Sequence, residues 1–355
     1  MKTVKLSDVL IIKYGKDHKN LDNGNIPVYG SGGLMRMVDN YLYDGESVLI
    51  PRKGSLNNVQ FVSGKFWTVD TLFWTIINSN LIRPKYLYYI LKQLNFLSMN
   101  VGSAVPSLTA SILYPIEITI PSLEIQDKIL LKILPIESKI YLNKQINDNL
   151  IELATDLFNS KVVNNATFEE KSLTEIADYK NGLAMQKFRP KDGEAVLPVL
   201  KIRELNQGST DGTTELVTST IDEAVKVFDG DVIFSWSGTL LVKLWTGGDA
   251  ALNQHLFKVT STKYPKWFYY LWTLHHLRRF QNVAKSKATT MGHIKRSDLS
   301  DSKVLVPDTE ELSELNTIFE PIIEQIVNLG IQIKLLEKTR DQLLPKLLSG
   351  EIELN

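Results

Sequence analysis

The sequence predicts an α+β protein built from two similar mixed α/β modules in tandem, separated by two long helices that pair as an antiparallel coiled coil. Three observations predict it. The 355-residue chain repeats itself, each copy mixes short β-rich runs with one aromatic-rich helix, and two further stretches carry a heptad seam. The boundaries that follow are a first module over 1–120, a central helix over 121–162, a second module over 163–306 and a C-terminal helix over 307–355.

The repeat rests on four matches in the same order. "IPVYG" at Ile26 is echoed by "LPVLK" at Leu197, and "YDGESVLIPRKGS" at Tyr43 by "FDGDVIFSWSGT" at Phe228. "PKYLYYIL" at Pro84 matches "PKWFYYLW" at Pro265, and "ITIPSLEIQDKILLKILPIESKI" at Ile118 matches "VLVPDTEELSELNTIFEPIIEQI" at Val304. In the last pair Pro121 precedes Pro135 by 14 residues, and Pro307 precedes Pro321 by 14. Each match is weak alone; the shared order implies a pseudo-two-fold internal repeat.

Within the modules, "ESVLIP", "NNVQFV" and "DVIFSW" are strand-length β-rich runs separated by Gly and Asn-Gly turns. "KYLYYILKQL" and "KWFYYLWTLHHL" mark one helix in each, and their aromatic stripes have the spacing of a face packed on a sheet. The central helix carries a seam through Ile129, Ile133, Ile136, Ile140, Asn143, Asn147, Leu150, Ala154 and Leu157. The two asparagines cost stability but fix register and partner. Spanning 122–158, it would be roughly 55 Å long if straight. The C-terminal helix runs its seam through Ile322, Ile326, Leu329, Ile333, Leu336, Leu343 and Leu347, with Arg340 in the missing step. Each seam is the other's obvious partner, and Ile136, Ile140, Leu150, Leu157, Ile326, Ile333, Leu336, Leu343 and Leu347 are the candidate coiled-coil or partner-docking positions. Pro135 and Pro321 predict a break or restart near each, Pro345 a kink in the last turns, and Ser349-Gly350 the stop.

Composition narrows the chemistry. The apolar fraction, 43%, suffices for buried cores, and there is no cysteine, so disulfides and thiolate-bound zinc are excluded. Five histidines include no HExxH pairing, so no metal site is expected. The N-terminal apolar run is too short for a secretory signal and no stretch reaches membrane length, which predicts a cytosolic protein with no membrane partner. Net charge is zero but unevenly spread: 12 Lys/Arg against 8 Asp/Glu in 1–120, 5 against 6 in 121–162, 19 against 16 in 163–306, and 4 against 10 in 307–355. Between Asp249 and Asp298 nine basic residues occur and no acidic one; between Glu46 and Glu117 the only acid is Asp70. Two basic surfaces on a neutral chain are the footprint of a polyanion binder, against the plainer reading of solvated faces of mixed charge.

Catalytic motifs are missing. Gly15-Lys16 and Gly64-Lys65 lack the rest of a phosphate-binding loop, and "GSGG" at Gly30–Gly33 lacks dinucleotide-fold spacing and reads as a turn. Asp156 with Glu169, Glu170 and Lys171 only crudely imitates a nuclease cluster, and there is no nucleophile elbow. The residues describe a binder with no catalytic site.

With these features in place, the chain resembles the specificity subunits of type I restriction-modification enzymes over essentially its whole length. The carriers are the tandem repeat, "GSAVPSLTASIL" before the central helix, "IPSLEIQDKI" at its start and, most specifically, "RDQLLPKLLSGEIEL" at Arg340–Leu354. At the helix start Ser122 stands where the family's Pro-Pro-Leu-x-Glu-Gln run has its second proline, and Ile125 where it has glutamate. The resemblance implies that each module is a target recognition domain reading one half of a split double-stranded DNA sequence. The helices would set the gap and dock two methyltransferase subunits, with restriction subunits joining through them. The chain itself would need no cofactor, since S-adenosylmethionine, ATP and magnesium would belong to the partners.

The candidate DNA contacts follow. Arg52, Lys53 and Ser55 in "PRKGS" suit a turn that offers two charges to phosphate, although an ordinary exposed turn has the same composition. "KSKATTMGHIKR" combines basic ends with glycine and hydroxyls in Lys285, Lys287, Thr289, Lys295 and Arg296, and its counterpart is the uncharged "NVGSAVPSLT" at Asn100. Polar residues near the shared IPV/LPV turn, Tyr29, Ser31 and Arg36 and then Lys201, Arg203 and Asn206, are candidate base readers. Two rivals remain at this level: a coiled-coil scaffold whose basic faces meet RNA or membrane, and a nuclease fused to a recognition module.

Overall fold

In the computed structural model, every residue is described except 103, 287–291, 353 and 355. The chain divides into one unit of Met1–Ile136 with Arg340–Asn355 and another of Glu137–Thr339.

In the first unit, Lys2–Lys5 pairs antiparallel with Glu117–Ile120, so the module's two ends meet where the central helix begins. Between them lie two four-stranded sheets. One has the order Leu10–Tyr14, Leu72–Ile77, Ser47–Pro51, Gln60–Val62, all antiparallel. Ser47–Pro51 is buried along its whole length, which is why "SVLIP" reads as a continuous apolar run instead of an alternation. The other sheet has the order Gly33–Val38, Ile26–Gly30, Lys65–Thr68, Tyr43–Asp44, with its middle pair parallel. Pro84–Gln93 forms the aromatic helix, its fixed proline φ suited to the first turn. Tyr86, Leu87, Tyr89 and Leu91 are buried in the main core, so the stripe packs as expected.

The second unit repeats this plan strand for strand. Glu169–Ser172 pairs with Lys303–Val306. One sheet runs Asp178–Asn181, Leu256–Thr260, Val232–Ser235, Val242–Leu244; the other runs Leu216–Thr218, Val196–Leu200, Ala250–Leu252, Lys226–Val227, again with a parallel middle pair. Lys266–Ser286 is its aromatic helix, burying an unbroken run from Trp267 to Thr273. One difference between the modules lies at a hairpin. A two-residue turn joins Ile26–Gly30 to Gly33–Val38, whereas the helix Ile202–Gln207 and a loop fill the gap between Val196–Leu200 and Leu216–Thr218.

The long helices span Leu123–Phe158 and Thr309–Ser349. They correct one expectation: Pro135 and Pro321 lie inside unbroken helices, as does Pro345. A proline removes one hydrogen bond and crowds the carbonyl four residues back, but here the flanking apolar residues are held by tertiary packing. Ile129 and Ile133 are buried with Leu344 and Leu347 in the first unit's core. In the second unit Phe319 and Ile323 flank Pro321 in another core.

Within the second unit the helices run antiparallel: Asn143 Nδ2 donates to Gln332 Oε1 at 3.3 Å, Lys144 pairs with Glu337 at 2.7 Å, and Phe158 meets Phe319 further along. Both seam asparagines leave a buried Oδ1 without a partner among the described residues, the structural form of their stability cost. Near the second module the buried positions become Phe158, Phe319 and Ile323, one residue off the ideal seam at Leu157 and Ile322. A straight 3.6-residue helix drifts from a 3.5-residue repeat in this way.

Candidate nucleic-acid interface

The repeat places two turns in the same frame. In the first unit Arg52 N–H donates to Thr71 O at 2.8 Å, Gly54 N–H to Pro106 O at 3.0 Å, and Leu108 N–H to Arg52 O at 2.8 Å. In the second, Trp236 N–H donates to His255 O at 3.4 Å, Gly238 N–H to Gly292 O at 2.9 Å, and Ile294 N–H to Trp236 O at 3.1 Å. Matching bridges join Lys53 to Ser107 and Ser237 to His293. Thus "PRKGS" corresponds to "SWSGT", and Pro106–Leu108 to Gly292–Ile294. Gly54 and Gly238 have φ of +86° and +64°, the left-handed conformation that lets each turn reverse.

The IPV/LPV hairpin reaches the same place in each module. A Cβ on Gly54 would lie 3.2 Å from Ser31 Oγ, and one on Gly238 would lie 3.5 Å from Ile202 Cδ1. The structure therefore brings Ser31 together with Arg52, Lys53 and Ser55, and the start of the Ile202–Gln207 helix together with residues 236–239. In the first unit the site is braced by Asn58 Nδ2, donating to Ser31 O at 2.7 Å, and Gln60 Nε2, donating to Gly30 O at 3.0 Å.

Several candidates are committed elsewhere. Tyr29 packs against the cluster of Leu49, Val62, Phe66, Leu72 and Trp74, and burial pushes its phenol pKa up. Arg36 donates to Leu21 O at 2.5 Å and is tied to the neighbouring loop. Arg52 donates to Asp70 O at 3.2 Å and lies over the Tyr14 ring, leaving Lys53 and Ser55 as the exposed members of that turn. Lys201 pairs with Glu215 at 2.6 Å. Arg203 is held by Glu204 and by Asp211, and the hydrogen bond it donates to Glu204 raises the guanidinium pKa. Asn206 offers its carbonyl to Lys243 Nζ at 2.8 Å, where burial lowers the amine's pKa. These contacts stiffen the inserted helix of the second module; they do not leave Lys201 and Arg203 as free cations. Arg296 donates to Tyr179 O at 3.3 Å and lies over the Phe257 ring, and it is exposed, as are Lys285 and Lys295. Lys287 and Thr289 lie outside the described residues.

Sequence reasoning missed an aromatic group at the same position in the second module. Trp236 stands where the first module has Arg52, with ring centroids 5.8 Å from His255 and 6.5 Å from His293. Ser237 Oγ is 3.0 Å from His255 Nδ1, and Gln254 Nε2 is 3.4 Å from His255 Nε2. Pairing "PRKGS" with "SWSGT" already pointed to Trp236 and Ser237; His255 enters only through a strand corner distant in sequence. In the first module the missed residues are His18 and Lys19, which with Asp17 line an open concavity alongside Gly30–Met35 and Val69–Thr71. Among the described residues no group of acidic side chains and histidines could hold a metal, and no helix is long and apolar enough to cross a membrane.

Two copies of one scaffold, each presenting a turn, a facing loop and a hairpin of different composition, define a tandem recognition protein. The profile of the type I restriction modification DNA specificity domain matches residues 1–152 and again 165–337, and the chain belongs to that family. It is a DNA-recognition component and not a catalyst. It is 27% identical over 319 residues to the MjaIX type I restriction enzyme specificity subunit of Methanocaldococcus jannaschii, covering 81% of this chain and 73% of that one. A putative type I specificity subunit of Haemophilus influenzae, S.HindORF215P, is 32% identical over 111 residues, 30% of this chain and 29% of its own. The fold is similar to the crystal structure of the type I restriction-modification S subunit from M. genitalium, with a TM-score of 0.63 at 14% identity over 100% of this chain and 96% of that one.

Proposed function

We propose that the chain reads a bipartite DNA target, one half-site per module, with modules bounded at 1–120 and 163–306. The helices at 121–162 and 307–355 separate the half-sites and dock two methyltransferase subunits, through which restriction subunits join in the cytoplasm. S-adenosylmethionine, ATP and magnesium act in those partners. The observation that carries this reading is the identical strand order of the two modules with different side chains at the same turn. A scaffold held constant while its tip changes is what two independent readers require. Docking is supported by apolar residues left in solvent on the helices of the second unit: Tyr141, Leu142, Ile146 and Leu153 on one, Ile331 and Leu335 on the other. Residues four apart share a helix face, so Leu142 with Ile146 and Ile331 with Leu335 form stripes suited to further helices.

Phosphate contact falls to exposed cations: Lys53 on the first module's turn, and Lys285 and Lys295 beside the second module's turn. Changing Lys53, Lys285 and Lys295 together to glutamine is expected to weaken binding to every sequence about equally. It should lower the slope of log affinity against log salt by up to about 0.9 per contact, near 3 in all. Fluorescence anisotropy of the methyltransferase complex on target and random duplexes across a salt series measures both. An unchanged slope would remove these lysines from the interface. Binding without any sequence preference would favour a general polyanion scaffold.

A further inference from the structure

The first module carries an apolar tip that its fold does not use. Leu34 and Met35 are 62% and 55% exposed, although they are consecutive residues of the strand Gly33–Val38. Consecutive strand residues normally point to opposite faces. Here the pairing steps from Val28 opposite Arg36 to Tyr29 opposite Leu34, so Met35 is the extra residue of a bulge. A bulge re-aims side chains, and this one leaves both in solvent. The strand is also the edge of its sheet. Met35 Sδ lies 2.7 Å from where a Cβ on Gly30 would stand, so glycine there lets the thioether lie across the turn. The tip is braced by Asn58 and Gln60 and sits beside Gly54. The concavity beside it is lined by Asp17, His18, Lys19 and Asp70, and the exposed Lys53 precedes Gly54 on the adjoining turn.

An exposed apolar pair at the tip of a DNA-recognition module fits a ligand that itself presents apolar groups. Duplex DNA does so in its major groove, where the thymine 5-methyl is the apolar mark on the base edges. We propose that Leu34 and Met35 contact thymine methyl groups in the half-site of the first module and so help to set its sequence. This inference rests on the reading of one half-site per module.

The test uses the full chain with its methyltransferase subunits, on duplexes of the target found by methylome mapping. Each thymine is replaced in turn by deoxyuridine, which removes only the methyl. The unaltered chain should lose about fourfold in affinity at one or more thymines of a single half-site, as expected for one buried methyl group. The Leu34→Ser, Met35→Ser double variant should bind the thymine duplex more weakly and no longer distinguish the two bases. Met37→Ser, on the same strand but away from the tip, should keep the discrimination. Because all three side chains are exposed, native folding is expected and is checked by circular dichroism. A bipartite target at which no thymine couples to Leu34 or Met35 would overturn the inference and leave the half-site reading standing. Loss of methyltransferase binding by the double variant with base discrimination intact would overturn it in favour of a protein contact. If no fixed target exists, both readings fall.

Discussion

Lengthening both long helices by one heptad at matched heights is expected to widen the unread gap in the DNA target by about three base pairs. Seven residues add about 10 Å to each helix, and duplex DNA rises about 3.4 Å per base pair. A whole heptad returns every apolar position to its partner, whereas two residues rotate the seam out of contact. The insertion points follow from the pairing in the second unit. Asn143 faces Gln332 and Phe158 faces Phe319, so Leu150 lies near the height of Ile326. Insertions after Leu150 and after Gln325 therefore keep the asparagine layer and the aromatic cluster on their own sides. Three base pairs also turn the duplex by about 100°, so reduced methylation at the widened target is compatible with this expectation. Methylome sequencing gives the result: the original gap retained at full efficiency would show that the helices do not set the spacing. Two-residue insertions in both helices should abolish methylation.

Phe158→Ala is expected to be the most destabilising single substitution of the central helix. The side chain is 1% exposed, and its ring meets Trp272 at 5.0 Å, Trp267 at 6.4 Å and Phe319 at 6.3 Å, all edge-on. It joins the helix end to the core of the second module, beside the stacked pair of Trp267 and Phe319 at 4.5 Å. Truncation leaves a cavity that rigid aromatic neighbours cannot fill, and buried Phe→Ala changes cost about 3–5 kcal/mol. For a unit of this size that lowers the melting temperature by about 6–20 °C. Trp267 and Trp272 report the transition through fluorescence. A loss below about 0.5 kcal/mol would mean that the helix end is only loosely attached.

The sequence disclosed the plan because the plan is repeated. Four weak matches became one strong one through their order, and the seam spacing located the buried helix faces to within a residue. What remained hidden was whatever tertiary contact decides. Pro135 and Pro321 read as breaks because local chemistry removes a hydrogen bond; Ile129, Ile133, Phe319 and Ile323 hold the helices through them. At the site, Ser31 and Lys53 were legible as polar turn residues, and their turns do meet. Lys201, Arg203 and Arg296 looked equally available, yet carboxylates, carbonyls and an aromatic ring nearby in space engage them. Trp236 was visible only through alignment with Arg52, and Leu34 with Met35 only through a bulge that sequence does not mark.

The central claim, two independent readers on one chain, is tested most directly by exchanging residues 1–120 for the first module of another family member. Methylome sequencing of cells carrying the hybrid and its methyltransferase should show one half of the target replaced, with the other half and the gap unchanged. Alteration of both halves would contradict separate reading.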